Sequence, residues 1–81
     1  MIQHRVLLFA RYAELLGAEE VAVELSPHAT AADCIAALRS LPGGDLLPDR
    51  PVLVRNHAVV AGNAMLAALD ELALLPPLAG G

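Results

Sequence analysis

Glu71-Leu72-Ala73-Leu74-Leu75, running into Pro76-Pro77-Leu78-Ala79-Gly80-Gly81, organises the reading of this sequence. Residues 71–75 read as a last strand. The strand is apolar on both of its alternating faces, which places it inside a sheet rather than at an edge. Pro76 and Pro77 then end the ladder, because proline has no N–H to donate, and they hold the following residues extended. Gly80 and Gly81 carry no Cβ, so a narrow pocket can close around their backbone and reach a carboxylate on Gly81. The six residues from 76 to 81 extend over roughly 20 Å at about 3.3–3.6 Å each. The expected organisation is one folded domain over 1–75 and a C-terminal tail over 76–81 that works inside another protein.

An apolar last strand needs an apolar neighbour, and residues 4–10 supply one with Val6, Leu7, Leu8 and Phe9. The two strands are natural central partners. If they pair in parallel, the tail leaves the sheet where the first strand finishes. Arg11 to Leu16 reads as a helical turn stopped by Gly17. Glu20 to Leu25 alternates, with Val21, Val23 and Leu25 on one face, and reads as a half-buried strand. Thr30 opens the clearest helix, with Asp33 suited to its positive start. Ala31, Ile35 and Leu38 form its apolar side, flanked by Cys34 and Leu41. Pro42-Gly43-Gly44 breaks it, with one further turn near Leu46-Leu47. Residues 51–55 and 58–60 read as strands hinged at Asn56-His57. Ala64 to Asp70 is ambiguous: its composition is helical, but its position calls for a loop. One main helix crossing a mixed sheet of four to five strands is an α+β layout.

Composition narrows the function. The chain has 81 residues, a net charge of −4 and 57% hydrophobic residues, but only Phe9 and Tyr12 as aromatics. The core is therefore aliphatic, and so small a body leaves apolar surface for a partner. All five cationic residues are Arg, and no basic stripe exists, so nucleic acid is not an expected partner. No segment suits a signal peptide or a membrane span. With a single cysteine, Cys34, the expected setting is cytoplasmic. One cysteine also excludes an internal disulfide and a cysteine-built zinc site.

These pieces resemble the small, sulfur-carrying subunit of molybdopterin synthase, a family with the ubiquitin-like β-grasp fold. Val6-Leu7-Leu8-Phe9-Ala10 with Ala13-Glu14-Leu15-Leu16-Gly17 is similar to its opening strand and turn. Val52-Leu53-Val54-Arg55-Asn56 is similar to its strand ending in Asn, and residues 70–81 resemble its last strand and Pro-Pro-x-x-Gly-Gly tail. Only the tail is specific. Two departures stand out: Ala13 where the family usually has Arg, with Arg11 nearby, and Ala68-Leu69 where it usually has Asp-Gly. The second implies a longer or helical connection from Ala64.

The resemblance implies a chemistry. A ubiquitin-activating-like enzyme adenylates the Gly81 carboxylate with ATP, a sulfur donor protein displaces AMP, and Gly81 becomes a thiocarboxylate. The large synthase subunit then supplies the catalytic side chains, in a two-plus-two heterotetramer, and passes the sulfur to cyclic pyranopterin phosphate. The resemblance implies that this chain is a non-catalytic subunit, expected to bind no cofactor or metal itself. Gly81 and Gly80 are its reactive end; Leu7, Phe9, Leu75, Pro76, Pro77, Leu78 and Ala79 are its expected partner contacts. Two rivals share the tail: a sulfur carrier for thiamin thiazole or tRNA thiolation, and a ubiquitin-like protein modifier.

Other residues carry less. Cys34 lies amid apolar helix positions and reads as a buried thiol. His4, His28 and His57 lack ligand spacing and read as surface or turn residues. Glu19-Glu20 and Asp70-Glu71 read as solvated charges flanking strands, the second pair close enough to the tail to steer an activating enzyme.

Overall fold

The computed structural model describes residues 1–76 and holds five strands and two helices: β1 (Ile2–Leu8), α1 (Arg11–Leu16), β2 (Glu20–Leu25), α2 (Ala31–Arg39), β3 (Val52–Arg55), β4 (Ala58–Val59) and β5 (Leu72–Leu75). The strands form one mixed sheet in the order β2-β1-β5-β3-β4. β5 is the middle strand, as its apolar residues on both faces require. It runs parallel to β1, with Val6, Leu7 and Leu8 aligned with Leu72, Ala73 and Leu74. It runs antiparallel to β3 on its other side, from Val52↔Leu75 to Arg55↔Leu72.

Alternation assigns the faces. Val6, Leu8, Val23, Leu25, Leu53, Leu72 and Leu74 are buried in one cluster with Tyr12 of α1 and Ala31, Cys34 and Leu38 of α2. Both helices therefore cover the same side of the sheet. α2 begins at a reciprocal cap: the Asp33 N–H donates to Thr30 Oγ1 at 3.3 Å, and the Thr30 N–H donates to Asp33 Oδ2 at 2.9 Å. The buried stripe of α2 centres on Cys34, with Ile35 and Leu41 only packed against its rim. Cys34 is the buried thiol that its apolar setting implies.

α2 ends at Arg39 with Ser40 as its cap, and the loop that follows packs closely at Gly43 and Gly44. A Cβ on Gly43 would strike the Leu15 carbonyl, and one on Gly44 the Leu38 carbonyl. The turn expected near Leu46-Leu47 is a 3-10 turn at Gly44–Leu46, after which Leu47 is buried.

One sequence expectation needs correction, and one open alternative is decided. His4 is not a surface residue: it is 2% exposed, and its Nδ1 has no hydrogen-bond partner. The reason is register. β1 starts at Ile2 rather than at residue 4, so His4 lies within the strand, opposite Val23, on the core face with Val6 and Leu8. Residues 64–70, ambiguous between helix and loop in the sequence, are a loop. Their backbone is claimed by the start of α2: Ala31 N–H donates to the Ala64 carbonyl, and Leu66 N–H to the Ala29 carbonyl. A helix would forfeit both bonds.

Candidate functional site

The sheet face opposite the helices is the candidate site. Leu7, Val52, Val54, Ala73 and Leu75 point to that side and are only half-buried. Val59 extends the patch opposite Val54 and is 70% exposed. Gln3, Arg5, Glu20 and Glu24 rim the patch along β1 and β2, and Arg5 reaches Glu20 at 3.6 Å. An apolar patch with a polar rim is the form of a protein-docking surface.

The parallel pairing of β1 and β5 fixes one end of this face. Phe9 and Leu75 each follow directly on the last aligned pair, Leu8↔Leu74. Phe9 is 45% exposed. A groove of about 330 Å³ opens there, lined by Leu7, Leu8, Phe9, Ala10, Ala13 and Glu19. Leu75 and Pro76 are half-buried, and the chain leaves the sheet at this same end. The expected contacts Leu7, Phe9, Leu75 and Pro76 are thus brought together. Pro77, Leu78, Ala79, Gly80 and Gly81 lie outside the described residues. Ala13 lines the groove where the resembled family has Arg; Arg11 is exposed at the first position of α1.

The backbone bends sharply beside the groove. Ala10, between β1 and α1, has φ 51° and ψ −124°, a strained conformation for any residue with a Cβ.

A second device anchors β5 at its start, and the sequence did not point to it. Asn56 and His57 both have positive φ in the β3–β4 turn. From there Asn56 grips the entry to β5: its N–H donates to the Glu71 carbonyl at 2.8 Å, and its Oδ1 accepts from the Glu71 N–H at 2.8 Å. Its amide also donates to Asp70 Oδ1 at 3.0 Å. Asp70 Oδ2 accepts from the Ala67 N–H at 2.7 Å. That backbone bond, chiefly, with the Asn56 amide and the Arg55 and His4 charges, holds the Asp70 carboxyl below its ordinary range despite some desolvation. Asp70 is therefore a turn-forming residue rather than a simply solvated charge. No residue of 67–70 has positive φ, so this turn needs no glycine. That explains how Ala68-Leu69 replaces Asp-Gly.

The molecule's larger cavity, about 530 Å³, lies elsewhere, between the first turn of α2 and the 49–51 and 60–62 segments. None of its lining residues is an expected site residue, and Asp49 there is paired with Arg39 at 3.2 Å. Among the described residues no group of His, Cys, Asp and Glu is arranged to hold a metal ion.

Known proteins share this arrangement. The ThiS family model matches residues 6–81. The molybdopterin synthase sulfur carrier subunit of Arabidopsis thaliana is 31% identical over 81 residues, covering 99% of this chain and 84% of that protein. Small archaeal modifier protein 1 of Haloferax volcanii is 39% identical over 83 residues, covering 91% of this chain and 95% of that protein. A crystal structure of that modifier superposes with a TM-score of 0.83 at 32% identity, over 96% of this chain and 100% of the other. Subunit 1 of the Helicobacter pylori molybdopterin-converting factor, solved in complex with subunit 2, shares the fold: TM-score 0.70, 20% identity, 99% of this chain and 100% of that one. The architecture is the ubiquitin-like β-grasp.

Proposed function

This chain belongs to the ThiS family, and we propose on that premise that it is a sulfur carrier, the small subunit of a molybdopterin synthase. A carboxylate resists nucleophiles because charge and resonance oppose attack. Adenylation of Gly81 by a partner enzyme with ATP supplies a leaving group. Displacement of AMP by a sulfur donor leaves a thiocarboxylate, whose sulfur is a good nucleophile. Tethering it to a docked domain converts the transfer into a reaction between held groups. The large subunit provides the pocket, the catalytic side chains and the bound cyclic pyranopterin phosphate. This chain provides the reactive end and the surface that docks it.

The observation that carries this reading is the alignment of β5 with the uncovered apolar face. The central strand ends beside Phe9, so docking of that face on a partner aims residues 76–81 at a fixed place. The name of the Arabidopsis relative supports the molybdopterin branch, as does Pro76-Pro77, which carriers for thiazole synthesis usually lack. A second reading, a ubiquitin-like modifier joined through Gly81 to a target amine, is favoured by the 39% identity to the Haloferax modifier. The two readings share activation and differ in the acceptor.

Intact-mass spectrometry of the chain after incubation with an adenylating enzyme, ATP and a sulfur donor separates them. Exchange of one Gly81 oxygen for sulfur, followed by sulfur transfer in a reconstituted synthase, is the expected result. Isopeptide-linked adducts would favour the modifier instead. Deleting Gly81 is expected to abolish transfer while leaving the melting curve unchanged; full activity of the shortened chain would rule out both readings.

A further inference from the structure

We propose that this chain is a one-way acyl donor: it presents no side chain that holds its own activated C-terminus as a lasting adduct. The inference rests on the proposed activation of Gly81 and concerns what happens while that activated end waits for its partner. An acyl adenylate or thioester is open to any nearby amine or thiol. A carrier that met such groups on its own surface, or on a second copy, would be consumed by cyclisation or by chain growth.

The inventory of nucleophiles is short. The chain contains no lysine; its five cationic residues, Arg5, Arg11, Arg39, Arg50 and Arg55, are all arginine. A guanidinium stays protonated and offers no lone pair for attack, whereas lysine exchanges its proton and acylates readily. The single thiol, Cys34, is 0% exposed beneath α2. Burial also pushes its pKa up to about 11, so the thiolate that would attack is scarce. The single phenol, Tyr12, is buried as well. Of the hydroxyls, Thr30 Oγ1 is engaged with Asp33 and Ser40 Oγ donates to the Ala36 carbonyl at 3.0 Å. No side-chain hydrogen bond joins Ser26 to a base among the described residues, and a serine without one is a weak nucleophile at neutral pH. The exposed imidazoles of His28 and His57 form acyl-imidazoles that water returns to the acid, so they leave no adduct. Residues 77–81 add no nucleophilic side chain. What remains is the α-amine of Met1, itself on an exposed residue.

The consequence is directional. The nucleophile that attacks the Gly81 carbonyl must come from another molecule, the sulfur donor in the carrier reading or a target lysine in the modifier reading. In the modifier reading no second copy finds a lysine on the first, so chain growth could proceed only through the Met1 α-amine.

The test installs the activated end chemically, so it does not depend on an activating enzyme or on the sulfur-carrier reading. The 81-residue chain is made as its Gly81 thioester with a small thiol by intein cleavage, acetylated at Met1, and held near neutral pH while intact mass is followed. The expected products are hydrolysed chain and free thiol, with no covalent dimer and no cyclic species. In urea, Cys34 becomes accessible: its thiolate attacks the thioester carbonyl, the small thiol leaves with the electron pair and a proton, and a chain–chain thioester forms. That exchange is expected to be at least about tenfold faster unfolded than folded, and to vanish in Cys34→Ala. Gln3→Lys and Arg50→Lys, on exposed positions, are expected to produce amide-linked dimers from the folded thioester. Dimers or cyclised chain from the folded, acetylated parent, equal exchange at Cys34 with and without urea, or inert lysine variants would each overturn the proposal. If instead the parent stays monomeric while enzymatic activation fails to place sulfur on Gly81, the functional reading falls and the donor inference stands.

Discussion

Ala10 and Asp70 show how far single residues diverge from what their type suggests. Ala10 holds φ 51° and ψ −124°, a conformation glycine adopts freely and alanine only under strain. Ala10→Gly is expected to stabilise the domain by about 0.5–1 kcal/mol, the strain relieved exceeding glycine's added chain entropy. A urea titration reads this as a higher midpoint at unchanged slope; a lower midpoint would mean the Ala10 methyl contributes packing worth more than the strain. Asp70 is held below the ordinary carboxylate range, chiefly by the Ala67 N–H. Because its folded pKa is depressed, its contribution is fully present above the unfolded value of about 3.9 and fades as pH falls through the folded one. Thermal melts of Asp70→Asn are therefore expected to fall less steeply than the parent's on acidification below about pH 5. Parallel curves for the two proteins would assign the acid sensitivity to another carboxylate.

At the level of elements, α2 is bounded by two different physical devices. Its start is chemical, a reciprocal cap between Thr30 and Asp33. Its end is a backbone cap at Ser40, followed by a loop packed tightly at Gly43 and Gly44. Glycines in this chain consequently differ in why they are needed. A Cβ at Gly17 would meet nothing within 4 Å, so only its φ of 73° resists substitution. At Gly44 the obstacle is the backbone of Leu38 and Arg39, which cannot swing aside. Gly17→Ala is expected to cost about 1 kcal/mol from conformation alone, and Gly44→Ala about 1–3 kcal/mol from overpacking. Chemical denaturation of the two variants tests the ranking, and an equal or reversed order would contradict the steric account. The β3–β4 turn is a third such device. Its Asn56 directs its backbone N–H and both side-chain polar atoms to residues 70 and 71 and so sets where β5 begins.

For the molecule as a whole, one sheet face is closed by helices and the other is left apolar and open. Phe9→Asp places a charge at the edge of that open face, on a residue already 45% exposed. Folding is expected to survive, while affinity for the large synthase subunit drops at least about tenfold, a loss of about 1.4 kcal/mol. Calorimetric titration checks this, with the melting curve as the control. Unchanged affinity would remove Phe9 from the interface and with it the proposed aim of the tail.

Element identity was legible where the signal is local. Apolar residues on both faces announced β5 as an inner strand, alternation announced β2, and a polar cap before an apolar stripe announced α2. The tail too is a pattern of neighbouring residues, and the family likeness rests on it. What could not be read along the chain depends on contacts between distant segments. His4 became a core residue because pairing with β2 carries β1 back to Ile2, which encloses residue 4 within the sheet on the face it shares with Val6 and Leu8. Residues 64–70 forsook their helical composition because the start of α2 offered hydrogen bonds from thirty-odd positions earlier. Asn56 gripping Asp70 and Glu71 is likewise a meeting across more than a dozen residues. Local propensity reports what a segment prefers alone; packing chooses among those preferences once the partners that satisfy its backbone have arrived.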